Sequence, residues 1–230
     1  MSRIDTLAET IDARLGSRMS RLPSRGGELA YEVAASELTG VCRELRDAED
    51  LAFEQLVDLS GIDYLEFGRT EWNTVGATSA GFSRAADRER APDPQGGRPR
   101  FAVAYHLLSV SKNWRLRLRC YCVGGEPPML DSVTGVWASA NWFEREAFDL
   151  FGILFRGHPD LRRILTDYGF IGHPFRKDFP LSGNVEVRYD PEKGRVIYEP
   201  VSIEPRVVVP KVIRDDNRYD PILRETPDRG

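Results

Sequence analysis

The chain has 230 residues, of which 41% are hydrophobic and 30% charged, and its net charge is -4 at pH 7. This composition is typical of a globular protein with one ordinary core, and the net acidity makes nucleic acid an unexpected partner. No apolar run approaches the roughly 20 residues of a spanning helix, and three cysteines, an odd number, indicate a reducing compartment instead of a disulfide framework.

The N-terminal part predicts two amphipathic helices with a strand between them. Helical spacing of apolar residues favours a helix within residues 1–20 that stops before Gly16, and its acidic residues argue against a secretory signal. The apolar positions of this helix are Ile4, Leu7, Ala8, Ile11 and Leu15. Leu29, Tyr31 and Val33 alternate as in a strand, and Ser36 is expected to cap a second helix. The buried stripe expected on that helix is Leu38, Val41, Cys42 and Leu45.

The middle of the chain predicts strands on either side of a mobile surface loop. Phe53 to Leu65 is expected to form a strand followed by a turn at Gly61. Gly76 to Arg100 contains too few large apolar residues to fold alone, which indicates the loop. Phe101 to Val110 is apolar on both alternating faces, as expected for a central strand covered on two sides.

Arg115 to Cys122 shows the clearest strand alternation in the chain. One face should carry Leu116, Leu118, Cys120 and Cys122, and the other should carry Arg115, Arg117, Arg119 and Tyr121. The two thiols share a face with leucines, so core filling is favoured over metal binding. The arginine face is either solvated or a docking surface.

A long helix is predicted from Asp131 or Ser132 to Phe151. Its apolar positions are Val133, Val136, Trp137, Ala140, Phe143, Ala147, Leu150 and Phe151. Its other side is expected to present Trp142, Arg145, Glu146 and Asp149. After Pro180, prolines mixed with Val and Ile predict an extended arm lying on another protein, in which 207–209 could add a strand to a partner's sheet.

Asn141 to Gly183 concentrates acids, bases, aromatics and two Gly-His-Pro turns, so this block either carries chemistry or contacts another molecule. His158 and His173 could share a site with Asp160, Asp167 or Glu146, but their spacing matches no familiar zinc pattern. Glu146 and Asp149 could perform acid–base work, or could pair with Arg145, Arg162 or Arg163.

The sequence shows no motif for nucleophilic catalysis, phosphate binding or an iron–sulfur centre. There is no Gly-x-Ser-x-Gly elbow and no glycine-rich phosphate loop, and three scattered cysteines cannot supply the four ligands of an iron–sulfur centre. We therefore expect no catalytic, cofactor-binding or metal-binding residues in this chain. A dense mixed-charge surface followed by an arm favours a built-in subunit of an assembly.

The same block resembles the signature of a known family, the C-subunit of the proton-pumping NADH:quinone oxidoreductase (respiratory complex I, bacterial NDH-1). The signature residues are Glu144, Arg145, Glu146, Asp149, Leu150, Phe151, His158, Arg162, Ile164 and Leu165. Leu56 to Leu65 and Gly172 to Gly183 are also similar to the family, the latter through His173, Arg176, Lys177 and Asp178. The resemblance implies a structural or interface role for these residues.

The resemblance and the residue patterns imply an α/β (α+β) fold, with a small, mainly antiparallel sheet, packed helices and an extended proline-rich C-terminal arm. The expected division is a helix in residues 1–20, an α/β domain in 21–155 with its loop at 76–100, a turn block in 156–183 and a partner-binding arm in 184–230.

The resemblance also implies a function within a larger enzyme. That enzyme passes electrons from NADH through FMN and iron–sulfur clusters to quinone and couples this to proton translocation. The C-subunit belongs to the peripheral arm, holds no cofactor, and lies beside the D-subunit and the subunit that carries the last cluster. It is attached to the cytoplasmic side of the bacterial inner membrane through the complex only.

Three alternatives stay open from the sequence. The first is the equivalent subunit of a membrane-bound hydrogenase or plastoquinone-type dehydrogenase, the second a metal hydrolase using His158 and His173, and the third an adaptor unrelated to redox chemistry. For the charged block we hypothesise ion pairs of Glu144, Arg145, Glu146 and Asp149 with Arg162, Arg163, Arg176 or a partner.

Overall fold

The computed structural model describes residues 3–23, 27–65, 67 and 99–203. The predicted loop therefore lies outside the described residues except for 99–100, and so does the arm beyond residue 203, including the proposed strand at 207–209. The helices of the described residues are α1 (Arg3–Leu15), α2 (Leu38–Asp47) and α3 (Ala140–Phe151). The strands are β1 (Met19–Leu22), β2 (Ala30–Val33), β3 (Gln55–Asp63), β4 (Phe101–Ser109), β5 (Trp114–Tyr121), β6 (Met129–Asp131), β7 (Leu154–Arg156), β8 (Val185–Asp190) and β9 (Arg195–Pro200).

Both N-terminal helices bury the apolar stripes that their periodicity predicts. In α1 the buried residues are Leu7, Ala8, Ile11 and Leu15. In α2 they are Leu38, Val41, Cys42 and Leu45. The expected cap at Ser36 is wrong, because Glu37 occupies the N-cap position and makes no side-chain cap bond. The short strand β1, which follows α1 directly, has no clear apolar alternation in the sequence.

Five strands form a sheet in the order β1-β2-β5-β4-β3. Only the β2–β5 pair within it is parallel, so the sheet is mainly antiparallel as predicted. The interior strand β4 is buried along nearly its whole length, and β5 alternates buried and partly exposed residues. Cys120 and Cys122 are buried in the core with Leu116 and Leu118.

Strand β3 runs through Gly61, which pairs with Val103, so the predicted turn at this glycine is wrong. The physical reason is the close approach of α3. A Cβ atom at Gly61 would lie 2.6 Å from Cδ2 of Phe151. The glycine is therefore needed to seat a helix on the strand.

Helix α3 is shorter than predicted and its polar face is different. Residues 132–139 lie outside the helix, with turns at 134–136 and 138–139, although Val133, Val136 and Trp137 are buried as expected. Trp142 is exposed, but Arg145 and Asp149, which were expected beside it on the outer side, are buried. The helix ends at Gly152, which adopts φ +74°. β6 and β7 then form a separate parallel pair.

The first part of the predicted extended arm is instead a hairpin, formed by β8 and β9. Its exposed apolar residues are Val185, Val187, Tyr189, Val196 and Tyr198. The hairpin thus shortens the reach of the arm. Within the described part of the chain, none of the helices is both long and apolar enough to cross a membrane.

Candidate functional site: a buried charged cluster beneath an exposed apolar surface

Asp149 organises the turn that follows α3. Its side chain is completely buried, and Oδ2 accepts backbone N–H groups of Ile164, Leu165 and Thr166 at 3.0, 2.7 and 3.0 Å. The Thr166 hydroxyl donates to Oδ1 at 2.6 Å. One carboxylate on a rigid helix therefore fixes three consecutive residues of a segment without regular structure.

These contacts keep Asp149 ionised despite its burial. Burial raises the pKa of this carboxyl, but the hydroxyl of Thr166 and the N–H groups of Leu165, Thr166 and Ile164 outweigh it, and the pKa is lowered. Nη1 of Arg163 lies 3.5 Å from Oδ1. The same nitrogen donates to the carbonyl of Gly172 at 2.8 Å, which extends the anchoring to the second Gly-His-Pro turn.

Glu144 lies five residues earlier in the same helix and is also completely buried, but its pKa is shifted in the opposite direction. Oε1 accepts the N–H of Val133 and Oε2 accepts the hydroxyl of Ser132, both at 2.7 Å. Burial raises the pKa of Glu144 to about 7, although these two bonds favour the ionised form. Glu144 thereby fastens the turn preceding α3 to the helix.

His158 braces the first Gly-His-Pro turn against the start of α3. Its Nδ1 accepts the N–H of Asp160 at 3.0 Å, so the proton of the neutral ring lies on Nε2 and is donated to the carbonyl of Asn141 at 3.1 Å. Nε2 is also 4.0 Å from Oε2 of Glu144. Nearby, Arg145 pairs with Asp160 at 3.3 Å.

His173 makes the corresponding contact near the other end of the helix. Its Nδ1 donates to the carbonyl of Asp149 at 2.8 Å. Burial lowers the pKa of His173, and the charges of Arg176 and Arg163 lower it further, against the opposing effect of the Asp149 carbonyl. A Cβ at Gly152 would come within 2.6 Å of both His173 and Arg176, so this packing requires glycine.

Arg176 closes the C-terminal end of α3. Its Nε donates to the carbonyl of Phe151 at 2.6 Å, Nη1 pairs with Glu126 at 2.7 Å, and the guanidinium lies 4.9 Å from the ring centroid of Phe101. The Phe151 carbonyl, which has no partner within the helix, thereby accepts a hydrogen bond from a cation. The positive charge also interacts favourably with the negative end of the helix dipole.

A third buried carboxylate, Asp63, joins the sheet to the turn block. It accepts the N–H of Lys177 at 2.8 Å and two hydrogen bonds from Arg100 at 2.8 and 2.6 Å. Arg100 also pairs with Asp178 at 2.9 Å, and although burial raises the pKa of Asp178, this pairing lowers it overall. Arg100 is therefore held in a network, which corrects the expectation that the mobile loop extends to this residue.

Most of the signature residues lie close together in the structure, but they differ in burial and in the partners that they contact. Glu144, Arg145, Asp149 and Leu150 are buried residues of α3, whereas Leu165 in the turn block is exposed. Of the hypothesised ion pairs, Asp149–Arg163 is present, whereas Arg162 and Arg145 both pair with Asp160. Glu146, Ile164 and Phe151 are partly exposed.

The two histidines do not converge on one site, because each bonds a different carbonyl of α3. Among the described residues between 3 and 203, no cluster of three or more His, Cys, Asp or Glu side chains could hold a metal ion. The bonding roles of Asp63, Thr166 and Ser132 are not indicated by local sequence patterns, because these residues bond to partners 12 to 114 positions away.

The turn block carries an exposed apolar surface on this anchored framework. We define the turn surface as Leu165, Tyr168, Ile171, Phe175 and Leu181, each more than half exposed. Leu165 lies within the three residues held by Asp149, and Phe175 donates its N–H to the carbonyl of Leu150 at 3.0 Å. The described residues leave these large apolar side chains uncovered, and their backbone is held in place. Side chains of this kind are suited to anchoring a binding partner.

Comparison with known proteins gives family matches over most of the chain. Residues 31–185 match the family described as respiratory-chain NADH dehydrogenase, 30 Kd subunit. The chain is 53% identical over 232 residues to the C-subunit of NADH-quinone oxidoreductase from Halorhodospira halophila, covering 95% of this chain and 94% of the relative. It is 55% identical over 219 residues to the protein of the same name from Legionella pneumophila (strain Paris), with 95% and 96% covered.

Among solved structures, the chain is similar to one from the membrane-bound sulfane sulfur reductase, an archaeal respiratory membrane complex. The TM-score is 0.52 at 15% sequence identity, covering 78% of this chain and 87% of that one. At this identity the likeness shows a shared fold.

Proposed function

Because this chain belongs to the family of the 30 kDa subunit of respiratory-chain NADH dehydrogenase, we propose that it is a scaffolding subunit that docks on its neighbours through the turn surface. It is a subunit of an NADH-quinone oxidoreductase assembly, as the near full-length relatives indicate. The role proposed for its charged signature is to hold the turn block rigid from within.

The neighbours proposed for this chain are the D-subunit and the subunit that carries the last iron–sulfur cluster. In this proposal FMN and the clusters belong to partner subunits, and the chain reaches the cytoplasmic side of the bacterial inner membrane through the complex. Electron transfer requires fixed distances between redox centres, so a subunit without a centre of its own contributes by fixing the positions of those that have one.

The docking proposal is supported by the contrast between the buried anchors of the turn block and its exposed apolar side chains. Beneath it, Asp149 and Asp63 bond its backbone at N–H groups of residues 164–166 and 177. Above it, the turn surface presents large apolar side chains that the described residues leave uncovered. A rigid framework lowers the entropy lost on binding, so such anchors gain more affinity than mobile ones.

The β8–β9 hairpin supports the same proposal. One face pairs Val187 with Tyr198 and Tyr189 with Val196, and these four side chains are each more than half exposed. A two-stranded hairpin is marginally stable alone in water, and this one has an uncovered apolar face. A partner surface on that face would stabilise the hairpin and enlarge the interface begun by the turn surface.

The proposal is tested by removing apolar area from the turn surface without touching the anchors beneath it. The variant replaces Leu165, Ile171 and Phe175 with serine, and the matched control is Val110→Ser, an equally exposed apolar residue in the β4–β5 turn. We expect the triple variant to be lost from the complex on native gels of solubilised membranes, while the control is retained.

The folded state of the triple variant is checked separately by circular dichroism of the purified chain. Full retention of a folded triple variant in the complex would overturn the docking role of the turn surface.

A further inference from the structure

A groove of about 640 Å³ lies at the opposite end of the β3–β4 ladder from the turn block. Its apolar floor includes Leu7, Leu29, Leu107 and Leu116. One wall is the first turn of α1, where Arg3 donates to the carbonyl of Lys112 at 2.9 Å and so fixes the helix to the β4–β5 turn. The groove is therefore a built feature of the fold, since its walls are tied together.

An irregularity in β3 places an apolar side chain at this groove. The β3–β4 register shifts between Leu56, which lies opposite Leu107, and Asp58, which lies opposite His106. Val57 is the residue left over at the shift, and it is 47% exposed while lining the groove. Bulges of this kind redirect a side chain at a functional edge of a sheet.

The charge of the groove differs in sign from that of the whole chain. Three arginines, Arg3, Arg115 and Arg117, line it together with two carboxylates, Glu28 and Asp58, in a chain with a net charge of -4. Arg117 lies 3.9 Å from Glu28, whereas the guanidinium of Arg3 donates to backbone carbonyl groups. A carboxylate supplied from outside would complement Arg3 and Arg115.

From this geometry we infer that the groove receives an acidic segment of a neighbouring subunit, with an apolar side chain inserted against Val57 and carboxylates placed at Arg3 and Arg115. The inference rests on the proposed function, since it requires an assembled complex. Val57 lies six residue steps along β3 from Asp63, which contacts the turn block, and these steps span about 20 Å. The groove is therefore a second interface, separate from the turn surface.

Site-specific photo-cross-linking in the intact complex tests the inference. A benzoylphenylalanine is introduced at position 57, and in a parallel sample at position 168, where Tyr168 is fully exposed in the turn surface. We expect the position 57 probe to label a segment of another subunit that has at least two Asp or Glu residues close to the labelled site.

The two probes separate the two claims. Labelling of a partner from position 168 but not from position 57 would overturn the groove interface and leave the proposed function intact. Labelling from neither position would overturn both. Adducts of the position 57 probe with residues 68–98 or 204–230 of the same chain, or with a partner segment lacking carboxylates, would also overturn the inference.

Charge reversal at the groove gives an independent measurement. Arg115→Glu should increase the rate at which the chain dissociates from the solubilised complex about tenfold, because an attractive contact becomes repulsive. Arg43→Glu makes the same charge change at an exposed position of α2 away from the groove, and it should leave the rate within about twofold. Equal rates for the two variants would contradict the inferred partner chemistry.

Discussion

Replacing Glu144 with glutamine should abolish one specific contribution to the pH dependence of the free energy of unfolding. Glu144 is completely buried, and burial raises its pKa to about 7 from the usual 4.5. Between these two values the folded chain keeps a proton that the unfolded chain has lost. Stability is therefore greatest below the lower value and falls as the pH rises toward the higher one.

The size of this effect follows from the pKa difference. A shift from 4.5 to about 7 corresponds to roughly 3 kcal/mol at about 1.4 kcal/mol per pH unit, of which about 2 to 3 kcal/mol develops between about pH 5 and pH 8. Glutamine has no proton to lose, and its amide oxygen can still accept the N–H of Val133. The variant should therefore gain stability relative to the native chain as the pH rises.

Urea unfolding of both chains at several pH values measures this directly, because the difference between the two free energies cancels the titration of all other groups. We expect that difference to move in favour of Glu144→Gln by about 2 to 3 kcal/mol between about pH 5 and pH 8. A difference that stays constant with pH would contradict this prediction, since it would mean that Glu144 titrates alike in the folded and unfolded chains.

Three further substitutions test the framework around α3 and the core. Asp149→Asn should destabilise the chain by about 3 to 5 kcal/mol and speed amide exchange at 164–166, whereas Glu146→Gln should change urea stability by under about 0.5 kcal/mol. Gly152→Ala should lower the midpoint temperature of thermal unfolding more than Gly157→Ala does. Both glycines have positive φ, but only a Cβ at Gly152 would meet side chains, at 2.6 Å. Tyr105→Phe should stabilise by about 1 kcal/mol, since its buried hydroxyl lacks a partner among the described residues; a loss of stability would contradict this.

Elements with a complete apolar period were predictable from the sequence. The stripe of α2, ending at Leu45, and the alternation of β5 through Leu118 are set by local spacing, and the structure confirms both. The mainly antiparallel sheet, which the family resemblance implies, is confirmed as well. In contrast, Val133 and Trp137 also fit a helical period, yet they lie in irregular backbone before α3, where Glu144 accepts the N–H of Val133.

The inward direction of the signature charges could not be predicted from spacing. Arg145 and Asp149 lie on the side of α3 that contains polar residues, so solvent exposure was the natural expectation. Their partners, Asp160 and residues 164–166, come from a segment without periodicity, and they cover the charges only after the chain has folded back. Gly61 was misread for a related reason, since the ring of Phe151 that requires a glycine comes from a distant helix.

We propose that this chain acts by holding redox neighbours in place. The most direct test of this proposal is purification of the tagged, full-length chain from membranes in mild detergent, with identification of the co-eluting chains and assay of NADH-dependent quinone reduction. We expect subunits with FMN and iron–sulfur clusters to co-elute and the preparation to reduce quinone. Elution of the chain alone, with a tightly bound prosthetic group and activity of its own, would contradict it.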